Sequence, residues 1–305
     1  MAGMSNRAAM VAAGMVAVAL LTPARVATQE QFQFVVSARD ADGHPVTDLK
    51  AEEVVMSENG ITNRIVKIEP LHMPVKVTIA IDNGITSRDG LSSYRSGLEG
   101  LVRALPPEVE IAVYAMAPQP RMVQGFTADH ARAIKGINAV APEQATPRFI
   151  DTLVEFSKRL RDEFNKTKRV DSLPVLVMVS TTAPENTSYK AEELSGAVQF
   201  LEARKTRAYI TTTTTSSSGN QGSGTQPDIS VPLAKATRGR YEGLANNSRL
   251  ATLLPEFGTE IAALHRQHYN QFLVTAQRAG GPLQNPRIEL TRPNVTGLVS
   301  IDGLP

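Results

Sequence analysis

From Val75 to Ile81 the chain alternates without becoming polar on either side. Val75, Val77, Ile79 and Ile81 share one face and Thr78 and Ala80 the other, the pattern of a central strand covered on both faces. The strand stops at Asp82-Asn83-Gly84-Ile85-Thr86-Ser87. A carboxylate, a glycine and two hydroxyls therefore stand at the carboxyl end of a buried strand, where open α/β sheets bind ligands. Leu91, Tyr94, Leu98, Leu101, Val102 and Leu105 then recur with helical spacing. Ile111 to Met116 and Arg121 to Phe126 read as extended, and Thr127 is the expected cap of a short helix around Ala131 and Ile134. Thr146-Pro147 reads as N-cap and first helical residue of a helix with the apolar stripe Phe149, Leu153, Phe156, Leu160 and Phe164. Its opposite face mixes Lys158, Arg159, Arg161, Lys166, Lys168 and Arg169 with Glu155, Asp162 and Glu163, a solvated surface.

Pro174 to Val179 is a second apolar strand and ends in Ser180-Thr181-Thr182. Leu194, Ala197, Val198 and Leu201 mark a helix, and Ala208 opens a strand that runs into the threonines at 211 to 215. Ser216 to Pro227 is Ser, Gly, Asn, Gln and Thr, too polar to bury a core, and predicts a mobile loop bounded at 211 to 228. An apolar piece from Ile229 to Ala236, a helix from Ser248 through Leu264, and Tyr269 to Val274 as a final core strand complete the unit, with Arg287 to Leu290 as an edge strand. Ahead of all this, Phe32 to Glu69 shows short strands punctuated by Asp42-Gly43 and Asn59-Gly60. The expected fold class is α/β, a doubly wound, mostly parallel sheet with helices on both faces, plus a small N-terminal β unit. The boundaries implied are 29–72 for the β unit, 73–278 for the α/β domain and 279–305 for an edge strand and tail.

Composition narrows the function classes. The chain has 305 residues, 42% hydrophobic and 20% charged, enough for one sizeable domain and a smaller one. A net charge of +2, without basic-aromatic patches, argues against nucleic acid as a partner. The absence of cysteine removes disulfides, thiolate metal sites and thiol nucleophiles. Arg7 followed by the apolar run Ala8 to Leu21, about 14 residues, has the length of an export signal and is short of a membrane span. Residues 1–28 are assigned to that signal, retention as an anchor being the alternative. The mature chain is expected to be secreted or periplasmic and to leave the membrane.

The order of these pieces resembles a von Willebrand factor type A domain, and more narrowly the exported bacterial proteins called VWFA-related. The resemblance is carried by Phe34 to Leu49 with its Asp40-Ala41-Asp42-Gly43-His44-Pro45, by Glu58-Asn59-Gly60, by the strand ending at Asp82, by Ala236 to Tyr241 and by Gln267 to Val274. It implies a Rossmann-like fold with a metal-ion-dependent adhesion site at the carboxyl edge, built from D-x-S-x-S, a threonine from a second loop and an aspartate after a later strand. Hard oxygens suit magnesium, which keeps an open position for a partner's carboxylate. Asp82 matches the first aspartate. Gly84 stands where the first serine belongs, Thr86 replaces the second, Ser87 is one position late, and Thr146 matches the second-loop threonine. Ser180-Thr181 stands where the second carboxylate is expected, so the site reads as degenerate, with Asp82, Thr86 and Thr146 as ligands for at most weak Mg or Mn and no other cofactor. If the ion is lost, Asp82 is expected to cap its own turn and bond to Thr146.

Other constellations carry less. His265 and His268 are three apart at a helix end without a carboxylate partner, which reads as cationic histidine at a helix C-terminus. His130 beside Asp129 is a helix start, and no G-x-S-x-G, P-loop or G-x-G-x-x-G after a strand is present. The expectation is a non-catalytic module, monomeric or weakly associating, that binds a protein partner through Asp82, Gly84, Thr86, Ser87, Thr146, Ser180 and Thr181. The alternatives are a true Mg- or Mn-dependent adhesin and a structural component of an envelope assembly.

Overall fold

The computed structural model describes residues 30–167, 171–214, 225–278 and 282–300. The export-signal assignment and most of the polar loop at 211–228 lie outside the described residues. Two six-stranded sheets organise the chain. The first contains β4 (Val75–Ile81), β5 (Glu110–Ala115), β6 (Arg121–Thr127), β7 (Leu173–Thr181), β8 (Arg207–Thr213) and β9 (Arg240–Leu244), in the order β6-β5-β4-β7-β8-β9. Every pairing is parallel except β5 with β6. The two apolar strands β4 and β7 are neighbours at the centre, where both faces are covered and neither needs a polar side.

The alternation within β4 sorts the helices. Val75, Val77, Ile79 and Ile81 pack under α1 (Leu91–Ala104), α2 (His130–Asn138) and α6 (Leu250–Tyr269). Ala80, with Leu176 and Met178 of β7, packs under α3 (Phe149–Thr167), α4 (Ala191–Ala203) and α5 (Thr225–Ala236). This confirms the doubly wound reading. Residues 225–228, assigned to the polar loop, are the first turn of α5, where Gln226 is buried and donates to the Ala183 carbonyl at 2.7 Å. That bond anchors a segment whose composition alone predicts no order.

The second sheet is antiparallel and corrects the expected partition. Its order is β11-β2-β3-β10-β1-β12, from β1 (Glu30–Arg39), β2 (Val54–Glu58), β3 (Ile61–Leu71), β10 (Gln271–Arg278), β11 (Pro286–Leu290) and β12 (Thr296–Ser300). The stretch expected to close the α/β sheet is β10, and it lies between β1 and β3 instead. The N-terminal strands alone could not bury a core; with β10 they enclose Phe34, Val36, Met56, Phe272, Val274 and Ala276. Arg278 of β10 makes two 2.7 Å bonds to Glu58 of β2. The α/β unit is thus an insertion between β3 and β10. Among the described residues no helix is long and apolar enough to cross a membrane.

Helices α1 and α6 are packed through glycine. A Cβ on Gly97 would lie 2.7 Å from the Leu250 carbonyl oxygen, and one on Gly258 2.6 Å from that of Leu101. Backbone cannot yield as a flexible side chain does. Gly97→Ala and Gly258→Ala are each expected to destabilise the protein by about 1–3 kcal/mol, measured as a lower urea midpoint with unchanged slope.

Candidate functional site

The crest is assembled where β4 and β7 end side by side. The Asp82 amide still donates to Val179 at 2.9 Å, so the aspartate side chain emerges inside the sheet and has no exposed surface. Four donors converge on it. Oδ1 accepts from the Gly84 amide at 2.9 Å and the Ser87 hydroxyl at 2.9 Å, and Oδ2 from the Ser180 hydroxyl at 2.8 Å and the Thr181 amide at 3.3 Å. Burial pushes the Asp82 carboxyl above the usual range, while these four bonds pull it back. Tyr94 of α1 closes the floor, its hydroxyl on the Ser180 carbonyl at 3.2 Å and on Thr213 Oγ1 at 3.0 Å.

The second loop is sewn to the first. Asn83 Oδ1 accepts from the Ala117 amide at 2.9 Å, and its Nδ2 donates to Ala141 at 2.7 Å. The Ile85 amide donates to the Ala145 carbonyl at 2.9 Å. Gly84 lies beneath this crossing: a Cβ there would meet the Ala145 oxygen at 2.7 Å and the Pro147 nitrogen at 2.9 Å. No serine fits at position 84.

Of the expected site residues, the structure gathers Asp82, Gly84, Thr86, Ser87, Ser180 and Thr181 at one point, with Thr86 and Thr181 hydroxyls 3.3 Å apart. Thr146 is on the same crest, but its hydroxyl accepts from Asn186 at 3.4 Å and is not bonded to Asp82, which corrects the expected Asp82–Thr146 bond. Thr146 does not cap α3 either, since that helix starts at Phe149. Asp82, Gly84, Ser87, Ser180 and Thr181 are buried, whereas Thr86 and Thr146 are half-buried. The first five therefore have little surface of their own to offer a partner.

Glu185 went unread in the sequence because its partners are across space. Its Oε2 accepts from the Phe149 amide at 2.5 Å and its Oε1 from Ile150 at 3.3 Å, capping α3 from the loop after β7. Beside it, Asp151 accepts from the Thr187 hydroxyl at 2.7 Å and the Ser188 amide at 2.9 Å, and Arg148 donates to the Asn186 carbonyl at 3.1 Å. Burial pushes Glu185 up to about 7, with the charges of Asp151 and Asp82 adding to it; the two amide bonds act in the opposite sense and are outweighed. The only available signal was an acidic residue soon after a strand that ends at the crest.

No protein-family model matches the chain, and no curated protein matches it. Among solved structures it is similar to a von Willebrand factor type A protein from Catenulispora acidiphila, at 15% identity and a TM-score of 0.50, over 76% of this chain and 50% of that one. The chain thus spans half the length of that protein. A weaker likeness is to the conserved hypothetical protein BatB from Bacteroides thetaiotaomicron, at 14% identity and a TM-score of 0.44, over 62% of this chain and 98% of that one. At such identity the first likeness shows the fold alone: the inserted unit has the von Willebrand factor type A architecture.

Two outcomes follow from this geometry. Asp82→Asn turns an acceptor into a donor facing the Ser180 hydroxyl or the Thr181 amide, and is expected to cost about 1–3 kcal/mol in urea unfolding. For Glu185 the folded value, about 7, lies above the 4.5 of a free glutamate side chain. Its contribution to stability is then full below about pH 4.5 and lost as pH rises through about 7. Glu185→Gln, which mimics the protonated acid, is expected to flatten the fall in thermal midpoint between about pH 5 and 8.

Proposed function

We propose that this chain is an exported, non-catalytic protein-binding module of von Willebrand factor type A architecture, whose adhesion-type site has exchanged its ion for internal hydrogen bonds. The observation that carries this reading is the saturated carboxylate of Asp82. A carboxylate offers about four lone-pair positions, and all four are taken by protein donors. An ion bound through Asp82 would have to displace at least one of these donors, and position 84, where a serine ligand is expected, has no space for one. The residues at the crest therefore do not fit a divalent cation. The serines beside Asp82 are fully engaged and buried, which argues against either as a nucleophile.

The surface offered to a partner is what stands above that buried knot. Ile85 is 49% exposed between the two stitched loops, with half-buried Thr86 beside it in the chain, half-buried Thr146 on the loop it is stitched to and exposed Asn186 bonded to Thr146. An apolar centre rimmed by hydroxyls and amides suits an uncharged protein surface better than a carboxylate-bearing one. The export assignment rests on the run Ala8 to Leu21 in the sequence.

Titration with manganese separates this reading from the ion-dependent adhesin. No change in thermal midpoint up to millimolar ion is expected, and a saturable rise that Asp82→Ala removes overturns the exchange of ion for hydrogen bonds. The binding edge is tested separately. A photoreactive residue at Ile85 is expected to give a discrete adduct with an envelope protein, and the Ile85→Glu change to abolish capture. The same change at Ile61, 71% exposed on the antiparallel sheet, should leave capture unaffected. Loss at Ile61 alone would favour the structural role in an envelope assembly.

A further inference from the structure

The α/β unit is joined to the antiparallel sheet by two covalent crossings, Leu71 to Val75 on the way in and His265 to Gln271 on the way out. Three of the five histidines of the chain, His72, His265 and His268, lie in these two short segments. The crossings are tied to each other through them. The Met73 amide donates to the His268 carbonyl at 3.3 Å, His72 Nδ1 is 2.8 Å from the Tyr269 carbonyl, and the Val75 amide donates to His265 Nδ1 at 3.3 Å. The rings of His72 and His265 both lie against Tyr269, with centroids 4.9 and 5.0 Å away. Gln267, in the same segment, receives the Ser37 hydroxyl at 3.3 Å and the Arg39 guanidinium at 3.1 Å from β1.

At the centre of this joint the polar groups are not satisfied by the protein. His268 is 1% exposed and Gln271 1% exposed, and neither ring nitrogen of the first nor either amide atom of the second has a protein partner. Buried polar groups ordinarily find partners, so an imidazole kept bare at a crossing calls for an explanation other than packing. Its surroundings all oppose a positive charge. Arg207 comes from β8 and His265 from the preceding turn of α6, and Arg266 of the same helix acts on His265 in the same sense. His265 must itself stay neutral, because its Nδ1 is an acceptor, and Glu108, in the turn before β5, is the one negative group acting on it. His72, from the incoming crossing, contributes its ring to the same cluster through Tyr269.

We propose that the two crossings form a proton-operated joint: neutral His268 holds the sheet and the α/β unit in one orientation, and a proton on His268 releases them to move as separate bodies. Burial and the Arg207 charge hold the His268 ring down at about 4, against 6.5 for a free imidazole. The folded value lies below the free one, so the joint is closed above about pH 6.5 and loses stability as the pH falls towards about 4. Opening needs no unfolding of either core, because the crossings contribute little to the packed clusters of the two units. This inference is independent of the binding edge, which lies at the opposite end of the strands.

The chain has no cysteine, so a spin-label pair at Thr62→Cys and Ser96→Cys, exposed positions on β3 and α1, reports the distance between the units in the full protein. A single narrow distance is expected at about pH 7.5 and a broad distribution at about pH 4.5, with unchanged far-UV circular dichroism. His268→Leu is expected to keep the distance narrow at both values. Should that variant not fold, the midpoint of broadening in the parent is compared with the ring titration of His268 by NMR, and the two are expected to coincide. The proposal is overturned by a distance that stays narrow in the parent, by broadening that His268→Leu does not suppress, by midpoints that do not coincide, or by broadening that accompanies loss of the circular dichroism signal.

Discussion

A carboxylate without exposed surface has to be stabilised from within the protein, and at the crest of this molecule that requirement falls on Asp82. Transferring the charge out of water costs several kcal/mol unless hydrogen bonds replace hydration. The replacement here comes from three places at once: the turn after β4, the hydroxyl of Ser87 before α1, and the end of β7. Removing any one would strand a donor or a lone pair. The carboxylate therefore dictates where the two central strands stop and how α1 leaves them. It also explains why Tyr94 is drawn in to satisfy the Ser180 carbonyl left beside it.

The same economy appears in the loop after β7. Where the resemblance led one to expect an aspartate at the strand end, Ser180-Thr181 contributes donors, and the acidic group arrives five residues later as Glu185, turned away to cap α3. The two changes go together. A second carboxylate beside Asp82 with no cation between would raise both, whereas one displaced onto a helix N-terminus meets amide donors. The price is a carboxyl whose charge state is decided near neutrality.

The parts legible from sequence were those whose partners are local or whose faces are both apolar. β4 and β7 are legible because apolar residues fill both faces of each apart from Lys76 and Thr78 in β4 and the hydroxyls at the end of β7, and the helices because Tyr94, Leu98, Leu101 and Val102 recur at one spacing. The sequence of β10 does not reveal its sheet, because Phe272 and Val274 suit any buried strand and the choice between sheets is made by Phe34 and Ile68, more than two hundred positions away. Glu185 was missed for the same reason, since its bond to Phe149 spans 36 residues. In the sequence His268 has the look of a charged helix end, because the approach of Arg207 and its burial exist only in the fold.

Crest and joint are connected by one long helix, α6, which accommodates Pro255 in its second turn. α6 has 20 residues, about 30 Å of helix. Just before it a Cβ on Gly90, after the crest loop, would meet Asn247 at 2.8 Å; its first turn is seated on α1 at Gly97 and its middle at Gly258. Its end carries His265, His268 and Tyr269 into the joint. Interlocked backbones leave no room for one helix to slide over the other without separating. Seating on α1 of this kind keeps the geometry around Asp82 apart from what happens at the far end of α6. Release of the joint would then change where the antiparallel sheet points while leaving the surface around Ile85 intact, which is the arrangement expected of a module that holds one partner and repositions what it is attached to.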